Sequence, residues 1–170
     1  MAQAADITIA AMTGMGLTVQ DTGHIVDVFA KIANATTADV ADLGEAFKYA
    51  AAVAGAVGVP LETLAGALGV LHDAGRKATI AGTDMRAVLL ELTNISPTAQ
   101  KALDKLGVTV QRFSDGSIDL IRTMEALRDA GMGAEEAGQI FARVGSTAAL
   151  ILTKNIDSLK KLEAQAYASD

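Results

Sequence analysis

The 170-residue chain contains no cysteine and no tryptophan, and it has only two prolines, two histidines and 4% aromatic residues. Without cysteine, disulfide bonds, thiol nucleophiles and thiolate metal sites are excluded. The histidines, His24 and His72, have no second histidine at helical spacing, so a His-x-x-x-His zinc pair is absent. No Gly-x-Ser-x-Gly nucleophile motif occurs either. We therefore expect neither enzyme activity nor a bound cofactor or metal.

Long hydrophobic runs and basic stretches are also missing. The most membrane-like stretch, residues 49–61, has 13 residues and includes Pro60, whereas a membrane-spanning helix needs about 20. The first residues lack the basic region and apolar run of a secretory signal. With 14 basic and 20 acidic residues the net charge is −6, and neither half of the chain is a basic arm. This balance argues against specific nucleic-acid binding.

Alanine is the abundant residue, with 34 occurrences, and apolar residues recur at helical spacing along most of the chain. These features predict an all-α fold, a bundle of about seven to eight short helices arranged as repeated helical hairpins. Thr36 or Thr37 is expected to cap the helix that carries Val40 and Phe47. Near residues 108–118, alternating residues and an Asp-Gly turn favour a short β-hairpin, which would be marginal on its own.

The chain divides into three regions on this interpretation. Residues 1–17 form an N-terminal helical extension, and residues 18–146 form a helical core. Helices are expected at about 134–144 and, separately, from about 147 to 166. The last region, residues 147–170, is the most charged and could extend out of the domain as a longer helix.

An internal repeat organises the core. Residues 73–82 and 129–138 match at six of ten positions after a shift of 56, which defines two related hairpins at about 60–92 and 116–148. In each copy, one glycine is expected to end a helix with positive φ, and a second is expected to mark a close backbone approach between the two helices. Two further glycines mark a helix stop and a turn. The six structural glycines are Gly75, Gly82, Gly107, Gly116, Gly131 and Gly138.

Other candidate features have simpler explanations than chemistry. His72, at a helix end, is expected to be a cation near the helix dipole. Arg76 and Lys77 resemble part of a phosphate loop only superficially, and a solvated turn is the favoured interpretation. Glu135 and Glu136 are neighbours in sequence that suit the first turn of a helix and do not face a shared cleft.

Small residues four apart occur in one helix, Ala51 with Gly55 and Ala54 with Gly58. In lipid, this spacing promotes helix association, and in water it serves tight bundle packing. Charged residues flank the stretch closely, so packing in water is favoured.

A series of short motifs follows in a fixed order along the chain: Gly58-Val59-Pro60-Leu61-Glu62, Ala74-Gly75, Ala81-Gly82-Thr83-Asp84-Met85-Arg86, Leu106-Gly107-Val108, Gly116 and Ile140-Phe141. Together they resemble the core region of phage tail tape measure proteins over roughly residues 18–165. The sequence departs from the family pattern at two places. Pro60 stands where a polar cap is common, and Arg76-Lys77 stands where a pair such as Ile-Gly is common. Both departures affect turns alone.

The resemblance implies that the chain is one segment of a much longer protein, toward which the C-terminal helix leads. Such proteins lie in several copies inside the tail tube, set tail length during assembly in the host cytoplasm and leave the tube at genome ejection. The implied partners are further copies in a small cyclic oligomer, tail tube and tail tip proteins, and the host membrane during infection. The family has no catalytic residues in this region.

Three alternatives stay open at this point. Residues 49–71 could act as a membrane-active or pore-forming module that aids genome delivery. The chain could instead be an accessory domain of a cell-wall hydrolase, or a helical adaptor with no ruler role.

Overall fold

The computed structural model describes residues 2–168, and nine α-helices and one 3-10 turn occur within them. The all-α prediction is confirmed. The helices are α1 Ala2–Met15, α2 Thr22–Ala35, α3 Val40–Val57, α4 Leu61–Asp73, α5 Thr79–Thr93, α6 Pro97–Leu106, α7 Leu120–Asp129, α8 Ala134–Lys154 and α9 Ile156–Tyr167, and the 3-10 turn is Val19–Asp21.

Helix α3 lies at the centre of the bundle, between α1 and α5, while α5 also packs on α8 and α4 packs on α9. Three of the six aromatic residues lie in the core, where Phe29, Phe47 and Phe141 are fully buried. The rings of Phe29 and Phe47 meet edge to face, with centroids 5.1 Å apart. Such pairs add about 0.5–1.5 kcal/mol to the burial of their apolar surface.

The cap of α3 is Asp39, and the prediction of Thr36 or Thr37 is wrong. The Asp39 carboxylate accepts a hydrogen bond from Asp42 N at 2.7 Å. The two threonines serve other partners, because Thr36 Oγ1 donates to Ile32 O and Thr37 donates to Asp73. The helix therefore begins two residues later than a Thr37 cap would allow and three later than a Thr36 cap would.

Helix α1 is packed into the bundle, since its Ile7 and Ala11 are buried. The backbones of α1 and α3 are in close contact where the two helices cross, since a Cβ on Gly55 would lie 2.1 Å from Gly14 O. The small-residue spacing around Ala51 and Gly55 thus serves helix packing within the bundle. Among residues 2–168, no helix combines the length and apolar character that crossing a membrane requires.

Helix α9 does not extend out of the domain. Its Leu159 and Ala166 are fully buried, and it packs against α2, α4 and α7. The predicted break between helices near residues 144–147 is found two residues earlier, at Ala142, where φ 56° and ψ −171° divide Ala134–Lys154 into two helical parts. A second break follows at Asn155, before α9.

The predicted β-hairpin near residues 108–118 is wrong as a pair of strands. A single antiparallel bridge joins Arg112 and Ile118, and no strand occurs in residues 2–168. The turn between them is closed by Phe113 N donating to Ser117 O at 2.9 Å. Asp119 N donates to Gln111 O at 2.9 Å on the other side of the bridge, and the pairing ends there because α7 begins at Leu120. Ile118 N points away from this pairing and donates to Val57 O at the end of α3, which joins the segment to the bundle.

Two alanines adopt a backbone conformation that favours glycine, Ala78 with φ 49° and Ala142 with φ 56°. Such conformations cost about 1–3 kcal/mol for a residue with a Cβ. Ala78→Gly and Ala142→Gly are each expected to raise the free energy of unfolding by about 1 kcal/mol, after the entropy cost of glycine. Urea denaturation checks this. Ala52→Gly, at an exposed site in the interior of α3, is the control and is expected to lose about 1 kcal/mol.

Candidate functional site

His72 is buried in a hydrogen-bond network that sequence analysis did not predict. Its Nε2 lies 3.2 Å from Asp42 Oδ2, and its Nδ1 lies 3.1 Å from Thr37 Oγ1. Thr37 donates from both its backbone N and its Oγ1 to Asp73 Oδ1, each at 2.7 Å. The network connects the segment between α2 and α3 to the end of α4.

This order of carboxylate, imidazole and hydroxyl resembles a catalytic triad in outline. In a triad, however, the hydroxyl donates its proton to the imidazole, whereas Thr37 Oγ1 donates to Asp73. The arrangement therefore holds the segment between α2 and α3 against the end of α4. The interpretation of His72 as a cation near the helix dipole missed its partners, because Thr37 and Asp42 lie at least 30 residues away.

Arg76 is not part of a solvated turn, and that interpretation is wrong for this residue. Its Nε and Nη2 donate to the two carboxylate oxygens of Asp84, at 2.7 and 3.2 Å. The Asp84 side chain is 4% exposed, and its hydrogen bonds raise the pKa of Arg76. In the second hairpin the equivalent positions hold Met132, which is half-buried and packs against the hydrophobic core, and Ile140, which is buried within it. The two copies thus have an ion pair and two apolar side chains at equivalent positions.

The glycine helix ends of the two hairpins have the same geometry. Gly75 and Gly131 adopt φ of +92° and +79° at the ends of α4 and α7. In both turns the next residue donates its amide to the carbonyl five positions earlier. These bonds are Arg76 N to Leu71 O at 2.8 Å and Met132 N to Leu127 O at 3.0 Å. Such bonds satisfy carbonyls that would otherwise be unpaired at a helix end.

The second glycines of the repeat differ from one another. A Cβ on Gly82 would lie 2.1 Å from Ala46 O, so a close approach exists there, although to α3 and not to α4. At Gly138 a Cβ would meet nothing within 4 Å, so the expected close approach is wrong at this position. Gly107 ends α6 with φ +70°, and Gly116 lies in the turn after Phe113 with φ +89°.

Glu135 and Glu136 lie in the first turn of α8, as predicted. Residues 2–168 contain no group of three or more His, Asp or Glu side chains placed to hold a metal ion. His24, the other histidine, pairs with Glu62 at 2.6 Å between Nε2 and Oε1. Both histidines and Arg76 therefore take part in contacts between separate segments of the bundle.

The concave regions on the surface include a cleft and a smaller pocket. A cleft of about 760 Å³ lies between α2, α4 and α9, with Lys31, Asn34, Asn155 and Lys161 among its lining residues. A smaller pocket of about 300 Å³ lies where the Phe113 turn meets the ends of α4 and α9. Sequence analysis predicted neither region, since each combines segments that are far apart in the chain. An exposed phenylalanine in a turn was the one available signal for the smaller pocket.

The bundle, the paired hairpins and the structural use of its charged groups are typical of a structural or interaction domain. The family model for phage-related minor tail proteins matches residues 1–150. The chain is 32% identical over 133 residues to the tape measure protein of Pneumococcus phage Dp-1, covering 78% of this chain. It is 34% identical over 157 residues to the probable tape measure protein of Escherichia phage P2, covering 86% of this chain. No solved structure is significantly similar to it.

The chain belongs to the phage-related minor tail protein family. The resemblance to phage tail tape measure proteins is confirmed by both relatives. The matched region spans 12% of the Dp-1 protein and 19% of the P2 protein. The chain therefore corresponds to a small part of the length of these relatives.

Proposed function

We propose that the chain is a structural segment of a tape measure protein that sets tail length during tail assembly and leaves the tail tube at genome ejection. The observation that carries this proposal is the family match over residues 1–150, together with two relatives named as tape measure proteins. Helix suits a ruler because its length rises by a fixed 1.5 Å per residue. On this proposal the chain acts through shape and self-association and catalyses no reaction.

The proposed location is the interior of the tail tube in the virion, and the host cytoplasm during assembly. The proposed partners are further copies of the chain in a small cyclic oligomer, and tail tube and tail tip proteins. The net charge of −6 supports this location, since an acidic surface repels the DNA that passes through the tube.

An in-frame deletion of these 170 residues from the parent gene tests the length-setting role. If the segment is fully helical and extended in the tube, tails are expected to shorten by about 255 Å, at about 1.5 Å per residue. Electron microscopy of purified tails measures the length. The control replaces the segment with an unrelated helical sequence of the same length, which is expected to restore normal tails.

Tails of unchanged length would contradict the ruler role. Unchanged tails with poor infection would favour the membrane-active delivery module instead. If the intact parent protein clears peptidoglycan and the deletion removes that activity, the result would favour an accessory domain of a cell-wall hydrolase.

A further inference from the structure

The 300 Å³ pocket has two aromatic side chains at its rim. Phe113 is 46% exposed in its turn, and Tyr167 is 52% exposed at the end of α9. The other three phenylalanines are fully buried, so an exposed one is unusual in this chain. Aromatic residues that stand beside a concave surface are typical anchor points for a binding partner.

Two carboxylates line the same pocket, and neighbouring groups hold both in place. Glu163 accepts a hydrogen bond from the hydroxyl of Thr63, which is buried. Asp119 is 6% exposed and caps α7 by accepting a bond from Arg122 N at 3.1 Å. Both carboxylates are therefore fixed before any ligand arrives, which lowers the entropy cost of binding.

The charge near the pocket is negative. Burial, and then the negative charges of Glu62 and Glu163, raise the pKa of Tyr167 to about 12. Arg122 is the one cation among the described residues that line the pocket, and its side chain is exposed. No ion pair joins it to Asp119 or Glu163 in the described part of the chain.

We propose that this pocket binds an arginine side chain of a partner protein. A guanidinium group stacks on aromatic faces and pairs with a carboxylate, and Phe113, Tyr167 and Glu163 offer these contacts together. The volume suits one long side chain and is too small for a peptide segment. The pocket goes beyond the length-setting role, because it gives the segment a docking site for one kind of residue.

The test uses N-acetyl-arginine amide as the probe and N-acetyl-citrulline amide as its neutral isostere. Tyr49→Phe leaves Tyr167 as the single tyrosine, whose fluorescence and NMR signals report binding. The arginine probe is expected to saturate in the millimolar range and to bind at least about tenfold more tightly than citrulline. Glu163→Gln and Phe113→Ala are each expected to weaken binding about five- to tenfold.

Two further variants sharpen the result. Arg122→Gln is expected to strengthen binding, because it removes the competing cation at the rim. Glu45→Gln, an exposed carboxylate on α3, is the matched control and is expected to leave binding unchanged.

Equal binding of arginine and citrulline would overturn the proposal, as would unchanged binding in both Glu163→Gln and folded Phe113→Ala. Tighter binding of phosphocholine than of the arginine probe would also overturn it, since the cation would then come from a lipid headgroup. Phe113 lies in an exposed turn, so circular dichroism is expected to show a folded variant even if Glu163→Gln were unstable. Tail length does not enter these measurements, so their failure is distinct from failure of the ruler role.

Discussion

Gly82→Ala is expected to lower the free energy of unfolding by about 3 kcal/mol. The new Cβ would lie 2.1 Å from Ala46 O and 2.9 Å from Tyr49 Cβ. The first of these contacts is with backbone in the middle of α3, which cannot turn away as a side chain can. Helices α3 and α5 would have to separate, and the buried contacts along both would loosen. This loss exceeds the roughly 1 kcal/mol that alanine gains in helix propensity over glycine.

Gly138→Ala is the matched control, because it occupies the same position in the second hairpin. A Cβ there would meet nothing within 4 Å, so only the propensity gain is left. The variant is expected to be more stable than the parent by about 0.5–1 kcal/mol. Urea denaturation of both variants measures the two changes. If the free energy of unfolding changed by the same sign and size in both variants, the contact between α5 and α3 would not be the cause of the loss in Gly82→Ala.

The two glycines also show what the sequence could predict and what it could not. The repeat placed Gly82 and Gly138 at equivalent positions, and local spacing located the glycine turns and most helices. Gly82 faces Ala46, which is 36 residues away in the chain, and Gly138 faces no neighbour within 4 Å of an added Cβ. This difference cannot be read from the repeat. Local patterns record helix faces and turns, whereas the partner of a face is decided by tertiary packing.

The same limit applies to the polar groups. Asp39 replaced the threonines as the cap of α3, because Asp73, 36 residues away from Thr37, takes that threonine's hydrogen bonds. The pocket with Phe113 combines segments near residues 60, 113–122 and 163–167. Each segment looks like an ordinary turn or helix end in the sequence, and the carboxylates and aromatic rings meet only when α9 packs against α4 and α7.

Arg76→Met is expected to lower the free energy of unfolding by about 3 kcal/mol, since it leaves the buried Asp84 carboxylate without its cation. Asp84→Ile alone is expected to cost less, about 1 kcal/mol, because Arg76 is 35% exposed and its guanidinium can turn to solvent. Lys77→Met, at the exposed neighbouring position, is the control and is expected to change stability by less than about 0.5 kcal/mol.

The double variant Arg76→Met/Asp84→Ile gives the first hairpin the apolar pair of the second, Met132 and Ile140. Apolar replacements of a buried ion pair are often neutral or stabilising when they fill similar volume. The double variant is therefore expected to recover most of the stability lost in Arg76→Met, with a coupling of about 2–3 kcal/mol between the sites. Chemical denaturation of the four proteins measures this cycle. A double variant as unstable as Arg76→Met would mean that the first hairpin does not tolerate the apolar residues of the second at these positions.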